Sequence, residues 1–412
     1  MKHLLSEVLK NISPSTREVR EEKKLASDLI KEIRKKTPKD SEVVLLGSVA
    51  KETFLKGSND MDIFILLKRK RTKKQLEEIV RKIAKPYDHK IAYAEHPYAQ
   101  VYTKGRKVDI VPAYKLKDIK QKMSSVDRSP LHTIYIKKNL KNKPDVLLLK
   151  KFLKCNGLYG AEIKIEGFSG YLCELLILRH KSFVNLVKNA AKWKGMVFID
   201  LKKKYNKNEI SIISNTFKSI FIVIDPTDPN RNVAAAVSHE KFGEFISLCK
   251  RFVKKPSKLF FFRKPKTFEE RTIGFEKCYV VTVKKPDILD DILWGQLKKL
   301  ERQLIQFLEN KEFRIKKTLL DDSKDIRIAI VFDSLKLSKT RIISGPPLGY
   351  KDNELSFRKA HEKKKIFVKD NKIFAIVPRE ITYAEKALEM FFKEHQLPSY
   401  FTKKDIWIKL NK

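Results

Sequence analysis

Two aspartates separated by one residue, Asp60-Met61-Asp62, stand at the head of the apolar run Ile63-Phe64-Ile65-Leu66-Leu67. In an extended strand residues i and i+2 point to the same face, so this spacing sets two carboxylates side by side. Such a pair repels unless a cation lies between its members, and hard oxygen donors favour magnesium. A third carboxylate, Asp109, lies between Val108 and Ile110 in another apolar run, where an unpaired charge is costly to bury. Three convergent carboxylates can hold two metal ions. Upstream, Gly47-Ser48 follows the run Val43–Leu46. The glycine permits close backbone approach, and the serine adds a hydroxyl and amide donors, as a triphosphate requires.

These groups need a compact α/β frame. The segment Ser13–Lys36 reads as a helix, opened by a Ser15/Glu18 capping box, with Val19, Ala26, Leu29, Ile30 and Ile33 on one face. Val43–Leu46 and Met61–Leu67 read as buried strands, with Val49–Phe54 as a helical turn or two between them. Lys56-Gly57-Ser58-Asn59 forms a loop. Leu76, Ile79, Val80 and Ile83 mark a further helix, and short strands follow Pro86 with a hairpin turn at Lys104-Gly105. From Pro144 the texture is helical, with Phe168–Leu178 continued by Phe183–Trp193. Phe221–Ile224 is a strand, Asp225–Pro229 a turn, and Ser238–Val253 a helix. A boundary is expected at Lys254–Ser257. Beyond it Cys278–Val283 and Ile326–Phe332 read as strands flanking a helix over Leu289–Asn310, while 345–375 yields only a turn at Gly345-Pro346-Pro347. The expected domains are 1–137, 138–255 and 256–412. The aromatic run Leu259–Lys264 is expected in a core between domains rather than as a stacking surface for a base.

Lysine and arginine number 90 against 50 acidic residues, a formal net charge of +40. Such an excess selects a polyanionic partner, most simply nucleic acid, because each neutralised phosphate releases condensed counterions. An acidic membrane surface competes less well, since no long basic amphipathic helix dominates. Hydrophobic residues make up 42%, which excludes a wholly disordered chain. The longest apolar runs fall far short of the ~20 residues that span a bilayer, and the N-terminus lacks a secretory apolar core. Cys155, Cys173, Cys249 and Cys278 form no CxxC pair and read as reduced thiols, so the expected compartment is the cytoplasm.

A Gly-Ser followed by paired acids on a strand resembles the nucleotidyltransferase superfamily that includes DNA polymerase β. Beyond that motif, Leu148–Glu162, Gly167–Leu175, Asp225-Pro226 with Arg231–Ala235, and Lys285–Asp291 resemble segments of archaeal class I CCA-adding enzymes. The resemblance implies an α+β multidomain chain. Its parts would be an N-terminal polymerase-β-like nucleotidyltransferase head, a mainly helical central domain, and a C-terminal α+β RNA-binding body and tail. It implies Asp60, Asp62 and Asp109 as magnesium ligands, Ser48 and Lys51 beside the triphosphate, and His132, Lys150 and Tyr159 as nucleotide contacts. The family commonly has arginine where Lys51 stands; lysine keeps the charge and loses the bidentate fork.

Arg231 is the candidate base reader by the same resemblance, and hydrogen-bond chemistry suits it. Cytosine and adenine each present an amino donor beside a ring-nitrogen acceptor, whereas uracil and guanine present a ring N–H. An arginine donor satisfies the first pair and meets a donor in the second. The implied activity is template-independent addition of C, C and A to the 3′ end of tRNA from CTP and ATP. The implied RNA contact is the acceptor stem and T-loop end, and relatives' dimers make a homodimer the assembly to consider. Two other readings stand beside this one. The chain is another template-independent RNA nucleotidyltransferase, of the poly(A) polymerase or oligoadenylate synthetase kind, or a catalytically silent RNA-binding protein. The intact carboxylate set weighs against the last.

Overall fold

The structure, a computed structural model, describes all residues except Asn59, Ala94, Lys117, Pro265, 402–405 and Lys412. The chain divides into two compact units, Met1–Pro265 and Lys266–Lys412.

The first unit opens with α1 (Lys2–Ile12) and α2 (Thr16–Arg34). The expected capping box starts α2: Ser15 Oγ accepts from the Glu18 amide, and the Glu18 carboxylate accepts from the Ser15 amide. There follow β1 (Ser41–Leu46), α3 (Gly47–Lys51), β2 (Asp60–Leu67), α4 (Lys73–Ala84), β3 (Asp88–Tyr93), β4 (Pro97–Thr103) and β5 (Arg106–Tyr114). They build a five-stranded sheet in the order β1-β2-β5-β4-β3. Strands β2 and β5 are parallel, and the other neighbours antiparallel. Lys104 and Gly105, both left-handed at φ 48° and 71°, turn β4 into β5, a twist that matches the strands.

Alternation gives β2 two tasks. Met61, Ile63, Ile65 and Leu67 fill a core with Leu29 and Ile33 of α2 and Leu76, Val80 and Ile83 of α4. The opposite face carries Asp60 and Asp62, then Phe64 and Leu66 against Leu46 and Ala113. One side of the strand thus anchors the sheet while the other presents carboxylates.

Next come α5 (Ser129–Asn139), α6 (Lys143–Cys155), α7 (Gly170–His180) and α8 (Phe183–Ala190). The apolar stretch expected to run on through Trp193 breaks at Lys181, which is left-handed at φ 70°, and Ser182 then caps α8 by accepting from the Asn185 amide. Strand β6 (Val197–Ile199), helix α9 (Lys207–Phe217) and strands β7 (Phe221–Asp225) and β8 (Asp228–Asn232) follow, with a sheet order of β6-β7-β8. The turn expected at Asp225–Pro229 is tighter than that, because Asp228 already opens β8.

Helices α10 (His239–Lys254) and α11 (Leu259–Phe262) end the unit. The boundary therefore falls after α11, not at Lys254–Ser257. The reason is packing: Phe261 is fully buried against Phe152, Phe183 and Phe252 of the same unit. Phe261 serves a core, as expected, but a core within this unit; Leu259 and Phe262 are exposed.

The second unit contains α12 (Phe268–Thr272), β9 (Cys278–Val283), α13 (Asp290–Asn310), β10 (Ile315–Asp321) and β11 (Ile326–Phe332). It continues with β12 (Thr340–Pro347), α14 (Lys351–Ala360), β13 (Lys365–Lys369), β14 (Lys372–Pro378), α15 (Ala384–Glu394) and β15 (Ile406–Leu410). An antiparallel sheet, β10-β11-β9-β15, shares a core with α13 and α15. A three-stranded sheet, β12-β14-β13, holds α14 beside it, with Phe357 against Gly345. No helix among the described residues is long and apolar enough to cross a membrane. All four cysteines are free thiols.

Candidate active site

The parallel register of β2 and β5 sets Asp62 opposite Asp109 and Asp60 opposite Lys107. Aligned residues of neighbouring strands share a face, so all three predicted carboxylates rise from one side of the sheet. Asp62 and Asp109 are half-buried and Asp60 is exposed. Burial pushes the Asp62 carboxyl above its ordinary range; Lys51 opposes this and Asp60 adds to it. Burial also pushes Asp109 up to about 6, with Lys107 opposing and Asp62 and Asp60 adding. Neighbouring like charges and desolvation thus both ask for a cation.

Gly47 shows how tightly this face is fitted. Its φ is +66°, and a Cβ there would lie 1.8 Å from Asp62 Oδ2. Only glycine accommodates both the backbone and the carboxylate. Among the described residues no three His, Cys, Asp or Glu side chains converge as a set for one ion, and Asp60 leans to Lys107 at 3.5 Å. The chemistry of the site still suits a hard divalent cation. Asp109 Oδ1 is buried with no hydrogen-bond partner among the described residues, and the donors facing it on the sheet are carboxylate oxygens.

Ser48 lies in the first turn of α3, directly after Gly47, where backbone N–H groups have no helical acceptor. At the other end of α3, Lys51 turns inward. Its Nζ donates to Glu174 Oε2 at 2.6 Å, and both side chains are buried. Glu174 Oε1 accepts from Thr53 Oγ1 at 2.7 Å. Lys150, also buried, donates to the Thr53 carbonyl at 2.7 Å and lies 4.0 Å from Glu174 Oε1. Burial pulls the Lys150 ammonium below its usual range, with Glu174 opposing. Two ammonium groups thus share one carboxylate, leaving a net positive charge that acts on Asp62. Tyr159 joins them through α7: a Cβ on Gly170 would sit 3.1 Å from the Tyr159 hydroxyl and 3.6 Å from Lys150 Nζ.

A second cluster gathers round Asp225, which is buried. Its Oδ2 lies 2.8 Å from His132 Nε2 and accepts from Arg231 Nη1 at 3.0 Å. Its Oδ1 accepts from the Tyr171 hydroxyl at 3.0 Å and from the Thr227 amide and hydroxyl, each at 2.8 Å. Although burial opposes it, these bonds, His132 foremost, hold the Asp225 carboxyl well below the usual carboxylate range. Because a carboxylate can only accept, the 2.8 Å contact with Asp225 Oδ2 assigns the His132 proton to Nε2. Burial keeps His132 below its ordinary pKa, with Asp225 opposing. His132 stacks on Tyr171 at 3.9 Å, and Lys51 Nζ stands 5.9 Å from the same Tyr171 ring. The two clusters therefore meet at Tyr171. Arg231 is anchored at one nitrogen while 30% of its side chain remains exposed.

All ten predicted positions consequently lie in the first unit, in three linked groups. Gly47, Ser48, Asp60, Asp62 and Asp109 frame the sheet face, Lys51, Lys150 and Tyr159 surround α7, and His132 joins Arg231. Sequence reading missed Glu174, Asp225, Thr53 and Tyr171. Two of these leave a trace. Glu174 is an acid inside the apolar helix segment Leu172-Cys173-Glu174-Leu175, and Asp225 closes the wholly buried strand Phe221–Asp225. A charge in either place needs a cation.

Comparison with known proteins identifies three segments. Residues 26–132 match the nucleotidyltransferase domain, 144–262 the second domain of tRNA nucleotidyltransferase, and 276–398 the C-terminal domain of CCA-adding enzyme. A CCA-adding enzyme of Archaeoglobus fulgidus is 35% identical over 409 residues, covering 96% of this chain and 90% of that one. One from Methanocaldococcus jannaschii is 36% identical over 402 residues, covering 93% and 89%. The chain belongs to the archaeal class I CCA-adding enzymes. Its family is one of nucleotidyltransferases, which use divalent metals. The sheet-face carboxylates and His132 fall within the first matched segment, and Lys150, Tyr159, Glu174, Asp225 and Arg231 within the second. In fold the chain is also similar to a cytoplasmic RNA terminal U-transferase, with a TM-score of 0.50 and 18% identity over 65% of this chain and 100% of that one.

Proposed function

We propose that this chain adds C, C and A to the 3′ end of tRNA without a nucleic-acid template, using Asp60, Asp62 and Asp109 as ligands for two magnesium ions. The observation that supports this best is the register of Asp62 with Asp109, beside a glycine that leaves no room for a Cβ. When bound, the ions lower the pKa of the terminal hydroxyl and neutralise charge on the triphosphate and leaving pyrophosphate. The protein supplies position. Gly47 and Ser48 offer amides and a hydroxyl to the triphosphate, and the net charge of the Lys51–Glu174–Lys150 trio draws that anion in. His132 and Tyr159 line the nucleotide. Asp225 fixes the ring of His132 and one nitrogen of Arg231, so the guanidinium meets the base edge already oriented.

Arg231→Ala is expected to relax the preference for CTP and ATP over UTP and GTP by roughly tenfold to a hundredfold, the scale of a well-placed arginine–base contact. Incorporation of each nucleoside triphosphate singly into tRNA lacking its CCA end measures this. An unchanged preference assigns base reading elsewhere. In the same assay the unsubstituted protein should stop after C, C and A; runs of A alone would favour a poly(A) polymerase type of activity.

The lysine-rich surface engages the acceptor stem and T-loop end through the RNA backbone, since A-form RNA is recognised by shape and phosphate contacts. The functional division follows: a catalytic domain over 1–137, a central domain from 138 through α11, and a tRNA-binding domain from residue 266. The work is done in the cytoplasm. The affinity for tRNA should fall with added salt with a log–log slope near −0.7 to −0.9 for each phosphate neutralised. Filter binding from low to physiological salt checks it; a flat response contradicts electrostatic grip.

A further inference from the structure

Lys107 precedes Asp109 by two residues on β5 and lies in register with Asp60 of β2, so it shares the sheet face of all three carboxylates. Its Nζ is 3.5 Å from Asp60 Oδ1. The other cations acting on Asp62, Lys51 and Lys150, are buried and tied to Glu174 and Thr53. Lys107 is different: 37% of its side chain is exposed, and Asp60 opposite it is 69% exposed. A long flexible stem at the surface can swing out where the buried pair cannot.

A divalent ion that takes Asp60 as ligand competes with this ammonium for the same oxygens. We propose that Lys107 is a built-in counter-ion of the carboxylate site. It holds Asp60 when no divalent cation does, gives it up when metal binds, and so sets the metal concentration at which the site fills. The proposal rests on the reading of Asp60, Asp62 and Asp109 as metal ligands. The 3.5 Å contact between Lys107 and Asp60 is the pairing that the metal would have to break.

The test is a titration of the full chain with Mn2+ alone, following free Mn2+ by electron paramagnetic resonance. Lys107→Met and Lys107→Gln should each bind about fivefold tighter than the unsubstituted protein, the scale of one solvated charge pair at this separation. Lys107→Arg, which keeps the charge, should bind as the unsubstituted protein does. The rise in melting temperature on adding Mn2+ should be larger in the neutral variants, whose metal-free carboxylates have lost a counter-charge. Equal or weaker binding by both neutral variants overturns the counter-ion role, provided Asp109→Asn abolishes binding. Binding that survives Asp109→Asn unchanged overturns the metal-ligand reading itself.

Discussion

Asp109→Ala and Asp62→Ala each slow nucleotide addition by roughly a thousandfold or more, the size of losing several kcal/mol of metal-borne transition-state stabilisation. Affinity for tRNA stays within about twofold, because phosphate contacts dominate that affinity. Asp109 contributes an oxygen that nothing else in the described structure satisfies. Asp62 is the group against which Gly47 is fitted. Gln100, opposite Asp109 on β4, is a neutral hydrogen-bond partner of that carboxylate, so losing the acid leaves no buried charge unpaired. The Asn variants, which keep size and shape, should show the same collapse in rate with an unchanged melting temperature. Single-turnover incorporation of CTP into tRNA lacking its CCA end reads the rate, and filter binding reads the affinity. Retained activity in either Ala variant removes that residue from the metal site.

Glu174→Ala should be the most damaging single change to stability in the first unit, at about 3–5 kcal/mol. Its carboxylate is completely buried and is shared by Lys51, at 2.6 Å, and Thr53, at 2.7 Å, with Lys150 at 4.0 Å. Removing it leaves two buried ammonium groups without the carboxylate they share. The cost is that of an unpaired buried charge rather than the net worth of the pair, so relieving the surplus should recover part of it. Glu174→Leu combined with Lys51→Met is therefore expected to be more stable than Glu174→Leu alone. Urea unfolding of the first unit's transition measures both. A loss below about 1 kcal/mol would show that the lysines reach water when the acid is gone.

The carboxylates could be found from sequence because their signal is local. A period of two fixes Asp60 and Asp62 on one face whatever surrounds them, and the apolar residues of β2 declare which face is the core. The same locality explains why the capping box of α2, the Lys104-Gly105 turn, and strands β9 and β11 were recoverable. Glu174 and Asp225 were not recovered because their meaning is long-range. Lys51 reaches Glu174 across 123 positions and His132 reaches Asp225 across 93, and nothing in a local pattern couples such distant residues. Lys150 was recovered only through the family resemblance, because nothing local in the sequence shows that α6 buries its side chain. Helix α14 hid for the opposite reason: none of its residues is buried, so it carries no strong apolar stripe. Helix α1 also went unread, although Leu5, Val8 and Ile12 bury into the largest core of the first unit.

Crystals of the protein grown with Mn2+ and a non-hydrolysable CTP analogue offer the most direct test of shared coordination by Asp60, Asp62 and Asp109. Anomalous scattering should show two peaks, each about 2.1 Å from carboxylate oxygens of this set, as a small hard cation requires. Asp60 should by then have left Lys107. Bound nucleotide with manganese absent from this sheet face, or held by only one of the three aspartates, would contradict it.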